Sequence, residues 1–175
     1  MDGELTRRSE GATGEAPDPL AVILEQHDLH LSLCDLLEEI ADGLPDQVHA
    51  AKCQSAIEQL SERVFRHHQF EENLFFPLLR TRAVDDSYLQ ASLDRLEREH
   101  RVDEGYADEV LELLHQLIGG HFRGSADAAG YMLRGLFEAL RRHIAFENDF
   151  VLPRADVLLT SDDRAHLVNA MRTQS

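Results

Sequence analysis

The sequence has no tryptophan, only two cysteines and no long hydrophobic run. Cys34 and Cys53 form neither a CxxC pair nor a disulfide framework, which is typical of a reducing compartment. No apolar stretch approaches the roughly 18 residues that a membrane-spanning helix needs. The first 19 residues are polar and acidic, without the apolar segment of a signal peptide. We therefore expect a cytoplasmic protein with no role in a membrane.

Basic residues are also scarce, because 17 Lys and Arg stand against 33 Asp and Glu, for a formal net charge of −16. A chain this acidic repels nucleic acids and anionic membranes, so neither is expected as a partner. The acidity alone does not indicate a metal site, because solvated acidic helix faces are its commoner cause. The hydrophobic fraction of 43% is ordinary, and 175 residues are enough for one continuous core.

Helical patterns dominate the chain, and no alternating strand pattern of useful length occurs. Residues 1–17 are rich in Gly, Glu and Ser and predict a disordered tail, whereas residues 18–175 predict one domain. Short connections between long helices predict an all-α fold, namely an antiparallel up-down-up-down four-helix bundle with a short C-terminal fifth helix. The expected helices run from about Asp18 to Asp42, from near Pro45 to about Arg80, from Asp85 or Asp86 to Ile118, from Ser125 or Asp127 past Phe150, and from Ser161, as its cap, to about Arg172.

One histidine of each long helix falls inside the apolar stripe that should face the core. In the second helix the stripe runs from Ile57 to Leu78 in steps of three and four residues. It includes His67 and Glu71, whereas His68 lies beside it. The second and fourth helices each add a glutamate one turn after the histidine. The stripes therefore place six polar side chains in the interior: His27, His67, Glu71, His100, His143 and Glu147.

The second and fourth helices share an internal repeat. The segment HHQFEENLFFP at 67–77 aligns without a gap with HIAFENDFVLP at 143–153, so that His, Phe, Glu and Pro coincide at an offset of 76. His27 and His100 align more weakly, at an offset of 73. Two helical hairpins related by a pseudo-two-fold axis would each contribute one ligand set, which suits a two-metal centre between them.

A proline follows each glutamate of the repeat after six residues, at Pro77 and Pro153. Proline lacks the N–H group of a helix hydrogen bond and its ring clashes with the preceding turn, so the helix is expected to kink or end there. A kink would shape the open end of a pocket, whereas a simple end would only terminate the helix. The sequence leaves both alternatives open.

The spacing of the buried histidines and glutamates points to metal binding. Residues four apart lie above one another on a helix face, so an HxxxE motif can reach one ion or two adjacent ions. One such motif is weak evidence, but two in apolar stripes are stronger, because burying carboxylates and imidazoles without a cation is costly. The alternative is hydrogen-bonded core histidines with each Glu paired to an Arg. Imidazole with carboxylate suits Fe, Mn, Zn or Co.

With the pattern H…HxxxE…H…HxxxE, the chain resembles the hemerythrin-like, HHE-type cation-binding family over roughly residues 18–155. Acidic or amide residues and an aromatic-rich run to Pro after each HxxxE add to the resemblance. It implies an oxo- or hydroxo-bridged non-heme di-iron centre that binds O₂ or a related small ligand, with Zn or Mn as less favoured occupants. The implied metal ligands are His27, His67, Glu71, His100, His143 and Glu147, the two glutamates being the bridging carboxylates.

Two departures from the oxygen-carrying hemerythrins bear on the role. Those proteins have a second histidine one turn from the first on the third helix. In this chain, the residues one turn before and after His100 are Leu96 and Glu104. Glu104 is therefore a possible additional ligand, as is His30, one turn after His27. Glu147 stands four residues after its histidine, where the carriers have Asp after five. Both departures favour redox turnover, peroxide chemistry or sensing over reversible O₂ carriage.

The favoured hypothesis is a non-heme di-iron protein that binds or senses O₂, NO, peroxide or iron. The alternative is a di-iron enzyme with oxidase or peroxide-consuming activity, or an iron donor in cluster repair, and a cavity larger than a diatomic ligand would favour the enzyme. A third reading is a metal-free or zinc-held helical interaction module. No DNA-binding, kinase or receptor motif is recognisable, so a sensing role requires a protein partner that the sequence does not identify.

Overall fold

A computed structural model describes residues 17–173, which form five helical segments and no strand. Helix α1 spans Pro19–Asp42, α3 spans Ser87–Ile118 and α5 spans Ser161–Thr173. The continuous segments α2, at 50–82, and α4, at 126–158, contain π-helical turns. The predicted disordered tail lies outside the described residues apart from Pro17. Within 17–173, no helix is long and apolar enough to cross a membrane.

The π-helical turns divide α2 and α4 into shorter pieces. Of the two alternatives that the sequence leaves open at Pro77 and Pro153, a simple helix end does not occur, because each segment continues past its proline. A π-helical turn directly before each proline changes the hydrogen-bond pattern where the missing N–H and the ring would break an α-helix. The pieces of α2 are Ala50–Gln59, the π turn Leu60–Val64, Phe65–Phe70, the π turn Glu71–Phe75 and Phe76–Arg82, and those of α4 are Ala126–Phe146, the π turn Glu147–Val151 and Leu152–Leu158.

Side-chain caps start three of the helices where the sequence predicts. The N-cap oxygens of α1, α3 and α4 accept backbone N–H bonds from the first turn, which satisfies donors that the helix itself leaves unpaired. The cap pairs are Asp18 with Leu20 N (3.4 Å), Asp86 with Leu89 N (2.9 Å) and Ser125 with Ala128 N (3.1 Å).

One predicted helix start and one predicted cap are wrong. Helix α2 begins at Ala50 rather than near Pro45, because residues 43–46 form a turn in which the Gln47 N–H donates to the Gly43 carbonyl (2.7 Å). Helix α5 is capped by Thr160 rather than Ser161. Thr160 Oγ1 accepts from the Asp163 N–H (3.2 Å) and the Asp163 carboxylate accepts from the Thr160 N–H (2.9 Å), which is a reciprocal capping box.

Two apolar clusters form the core. The first combines the C-terminal halves of α1 and α3 with the N-terminal halves of α2 and α4. The second combines the opposite halves with α5. Fully buried side chains such as Leu37 and Phe76 stabilise these clusters by about 1.5–3 kcal/mol each. Helix α1 packs mainly on α4, and α2 mainly on α3. Along every long helix, the histidines singled out from the sequence lie between the two clusters.

Candidate metal centre

The structure brings all six predicted metal ligands together in the layer between the apolar clusters. Each of the six is at most 6% exposed. They form two groups whose ligand atoms lie within 4.8 Å of one another, here called the His27/His67 half and the His100/His143 half. Glu71 and Glu147 belong to both groups. The two pairs of imidazoles therefore share both carboxylates.

Glu71 presents one oxygen to each half of the site. Its Oε1 lies 3.2 Å from His67 Nε2, and its Oε2 lies 3.4 Å from His100 Nε2. The π-helical turn of α2 begins at this residue, directly after the α-helical piece that carries His67. One carboxylate therefore spans the two groups, which is the arrangement a bridge between two ions requires.

Glu147 repeats this arrangement from the opposite side. Its Oε1 lies 3.5 Å from His143 Nε2, and its Oε2 lies 3.3 Å from His27 Nε2. Within each half, the Nε2 atoms of the two histidines converge to 3.1 Å. Both halves therefore direct two imidazole nitrogens and two carboxylate oxygens at one point.

The four oxygens of Glu71 and Glu147 have no hydrogen-bond partner among the described residues, although both side chains are about 1% exposed. Burying a charged group costs several kcal/mol unless it is paired and hydrogen-bonded. The contacts to the histidine Nε2 atoms lack hydrogen-bond geometry, so a cation is the group that would satisfy these oxygens. Nitrogen and oxygen donors of this kind suit iron, manganese or zinc. The side chains present therefore fit a pair of metal ions.

Outer oxygen atoms orient the histidines. A hydrogen bond from Nδ1 to an outer acceptor fixes the tautomer and leaves the Nε2 lone pair pointing inward. The Nδ1 of His143 makes no hydrogen bond to a described residue, although the carboxylates of Glu99 and Asp103 lie 3.5 Å and 4.0 Å from it. The three bonded pairs are His27 with Asn148 (2.6 Å), His67 with Gln26 (2.8 Å) and His100 with Glu72 (2.9 Å).

The hemerythrin HHE cation binding domain matches residues 18–155, most of the chain. The chain belongs to this family. A hemerythrin HHE domain binds a metal cation, and the two groups of histidine and glutamate are where this chain has donors for one. A comparison with curated proteins finds no match.

Within this hemerythrin-like domain, the buried carboxylates and some of the histidines shift each other's pKa. Burial opposes the charge of Glu147, but His143 and His27 outweigh it and hold the pKa of Glu147 well below its usual range. Burial likewise opposes a charge on His143, but Glu147 and Glu99 raise its pKa well above the usual value. Because a metal ion takes the place of protons on its ligands, metal binding to these groups releases protons.

The two possible additional ligands lie outside both halves. The Glu104 side chain is 36% exposed, and its carboxylate lies 3.5 Å from His68 Nδ1. His30 is buried with its ring at right angles to that of His67, 4.9 Å between centroids. Burial and the neighbouring His67 and His27 lower the pKa of His30 to about 3. The structure brings neither residue into the groups with Glu71.

The burial of His68 was not predicted from the sequence, where it lies beside the apolar stripe. This residue is 3% exposed and forms a third group with His100 and His143, one without a carboxylate. Its ring stacks on that of His100, with centroids 3.9 Å apart and planes 11° from parallel. A metal–nitrogen bond lies in the plane of the imidazole ring, so two stacked rings do not direct both lone pairs at one ion. The available signal was the HH pair, because adjacent helical residues lie only about 100° apart and a wide buried face can include both.

The outer acceptors were also missed, although each stands next to a predicted ligand in the sequence. Glu72 follows Glu71, Asn148 follows Glu147 and Gln26 precedes His27. None of these three bonds a histidine of its own helix, so their partners depend on which helices lie side by side. The acidic or amide residue after each HxxxE was the available signal.

Proposed function

We propose that this hemerythrin-like chain is a non-heme di-iron protein that binds or senses O₂, NO, peroxide or iron. In this proposal the two imidazoles of each half hold one ion, and Glu71 and Glu147 bridge the two ions. The observation that carries it is the sharing of two buried, unpartnered carboxylates by two pairs of converging imidazoles. A single ion would leave one pair of histidines without a partner.

The protein side chains have three roles in this proposal. The Nδ1 hydrogen bonds to Gln26, Asn148 and Glu72 hold the imidazoles in the orientation that a metal needs. The apolar clusters on both sides keep bulk water from the site. Glu71 and Glu147 each contact histidines of both halves, which holds the two ligand sets at a fixed distance from each other. Bound iron supplies one-electron redox chemistry and open positions for a small ligand.

We further propose that the four long helices run in antiparallel up-down-up-down order. The composition of the apolar clusters supports this order, because each cluster takes opposite ends of consecutive helices. The connections at 43–49, 83–86 and 119–125 are short compared with the helices that they join. Such connections favour antiparallel neighbours.

The metal content of protein purified without added metal and without an affinity tag tests this proposal. Elemental mass spectrometry should find about two irons per chain, either as purified or after anaerobic loading with ferrous iron. A saturated content of one ion would contradict the dinuclear proposal. No metal after anaerobic loading would contradict metal binding by these residues altogether.

The alternative is a di-iron enzyme that turns over O₂ or peroxide, or donates its iron. A cavity of about 390 Å³ that reaches His67 favours the enzyme, because its volume exceeds the space that a diatomic ligand needs. Repeated consumption of hydrogen peroxide by the iron-loaded protein would establish the enzyme. A single stoichiometric reaction followed by no turnover would favour binding or sensing. Transfer of the iron to a chelator, much faster in one redox state, would favour donation.

A further inference from the structure

A cavity of about 390 Å³ opens between α1 and α2, on the side of His67 that bonds Gln26. The side chains of Val22, Leu29 and Phe70 form apolar walls, and Met171 of α5 adds to them. Cavities of this size bind small organic molecules in other proteins, usually with a few polar groups among apolar walls. Binding or sensing of a diatomic ligand does not need this space, and only the enzyme alternative uses it.

His30 is the buried polar group of this cavity. It is only 5% exposed, lines the cavity, and has no hydrogen bond or ion pair with a described residue. An imidazole carries at least one N–H donor in every protonation state. Because buried polar side chains are nearly always hydrogen-bonded, an unpaired one facing a cavity indicates a ligand that supplies the missing partner.

Two arginines at the rim supply positive charge. Arg63 and Arg66 line the cavity, and neither makes an ion pair or a hydrogen bond within residues 17–173, although the chain has 33 acidic residues. Other arginines, such as Arg141, pair with several carboxylates. Glu62 is the only acidic side chain among the described residues that line the cavity, so the rim has a positive balance.

The local backbone sets this rim apart from the rest of the molecule. Glu62 and Arg63 lie on the π-helical turn Leu60–Val64. The repeat-related residues of α4, at 136–140, are regular α-helix, so this turn has no counterpart in the other hairpin. Isolated π turns inside α-helices are frequent at functional sites, because they redirect side chains. Here the turn carries one of the two arginines.

We propose that this cavity binds a small organic anion with an apolar body. The carboxylate of the ligand lies between Arg63 and Arg66, since guanidinium groups pair with carboxylates through two parallel hydrogen bonds. The apolar body lies against Val22, Leu29 and Phe70, and His30 donates to a polar atom of the ligand. This site goes beyond the proposed di-iron function, and its side chains bind the anion with or without metal.

A second cavity, of about 440 Å³, provides an internal control. It lies between α3 and α4, and the internal repeat relates its residues to those of the first cavity: Arg142 matches Arg66, Glu99 matches Gln26 and Asp103 matches His30. Arg95, Arg98 and Arg142 line this second cavity together with Glu99 and Asp103, so its formal charge balance equals that of the first cavity. It differs because carboxylates that repel an anion take the places of Gln26 and His30, and because Arg95 already pairs with Glu99 (2.8 Å).

Isothermal titration calorimetry with octanoate tests the proposal, on the full chain in both metal-free and iron-loaded form. We expect saturable one-to-one binding of octanoate and much weaker binding of octylammonium, which has the same chain and the opposite charge. Arg66→Gln should weaken octanoate binding about tenfold, as expected for the loss of a charge-assisted pair. His30→Phe should weaken it as well, whereas Arg142→Gln should leave it unchanged. Circular dichroism confirms that each variant is folded.

Three results would overturn the proposal. Equal binding of octanoate and octylammonium would show apolar binding without recognition of charge. An equal loss on Arg66→Gln and Arg142→Gln would show a general effect of net charge. No saturable binding at millimolar octanoate in either form would rule out the anion site. Since the titration is also run on metal-free protein, its failure and a failure to find two irons are separate outcomes.

Discussion

The two halves of the metal centre agree closely on the inside and differ on the outside. In both, the Nε2 atoms converge to 3.1 Å, and the contacts to the shared carboxylates are 3.2–3.5 Å long. The outer acceptors of the His27/His67 half are the neutral amides of Gln26 and Asn148. Those near the His100/His143 half are the carboxylates of Glu72, Glu99 and Asp103.

The internal repeat therefore preserves the positions of the donors but not the electrostatics around them. Gln26 and Glu99 are equivalent in the repeat, as are Asn148 and Glu72, and each pair exchanges an amide for a carboxylate. A carboxylate that accepts from the far nitrogen of an imidazole makes that imidazole a stronger metal ligand. We therefore expect the His100/His143 half to bind the first ion and the other half to bind the second, more weakly.

The largest effect is expected from the residues that join the two halves. Glu147→Gln keeps the size of the side chain but removes a charge shared by both groups, so both ions should be lost or severely weakened. Elemental mass spectrometry of the iron-loaded variant measures this loss. Glu104→Gln is the control and should keep about two irons per chain, because Glu104 belongs to neither half. A variant Glu147→Gln that keeps both ions would refute the bridging role.

Removal of one histidine should abolish iron binding in its own half of the site and leave the ion of the other half bound. His67→Ala should reduce bound iron from about two to about one per chain, and His143→Ala should also remove one ion. His68→Ala should keep both ions, since its stacked ring does not point its lone pair at either group. Metal analysis of the three variants side by side is the measurement. A loss of iron in His68→Ala with none in His67→Ala would show that the third group is the real ligand set.

Substitutions of the outer acceptors should have smaller effects on metal affinity, and the effects should be opposite in sign in the two halves. Glu72→Gln replaces the anionic acceptor of His100 with an amide and should weaken one ion by about tenfold or more. Asn148→Asp makes the reverse change at His27 and should strengthen the other ion. Competition with a chelator during stepwise metal loading measures both affinities. Equal affinities in the native chain, unchanged by either substitution, would show that the halves do not differ.

The smallest effect on the metal centre is expected from α5, which lies outside the repeat. Asp163 accepts two hydrogen bonds from Arg82 at 2.8 Å and caps α5, so Asp163→Asn should lower the midpoint of thermal unfolding without changing the metal content. Arg82 holds the pKa of Asp163 below its usual range. A depressed carboxyl pKa stabilises the fold above the unfolded value of about 4, and this contribution is lost as the pH falls toward the folded pKa.

Thermal unfolding of the native chain and Asp163→Asn at several pH values checks this sign. The difference between their midpoints should be largest near neutral pH and should shrink below about pH 4, where Asp163 of the unfolded chain begins to bind a proton while that of the folded chain is still ionised. A difference that grows on acidification would contradict the assignment of the stabilisation to the ionised carboxylate.

Local chemistry made much of the fold predictable. The apolar periodicity and the caps Asp18, Asp86 and Ser125 located three helix starts, because a cap satisfies the first N–H groups of its own helix. The failures were also local. The turn before Ala50 displaces the start of α2, and Thr160 with Asp163 forms a better cap than Ser161. The π-helical turns were not predictable, since the sequence shows a proline but not how the preceding turn accommodates it.

The inward direction of the six candidate ligands follows from the sequence alone, because a period of 3.6 residues makes the side chains of a stripe share one face. The two HxxxE motifs and their repeat follow from it as well. Which helices lie side by side depends on the tertiary structure, and so do the bond between Asn148 and His27 and the stacking of His68 on His100. The cavity with His30 and its two arginines likewise exists only between packed helices. Contacts between residues far apart in the chain depend on the packing of whole helices, which periodicity within one helix does not specify.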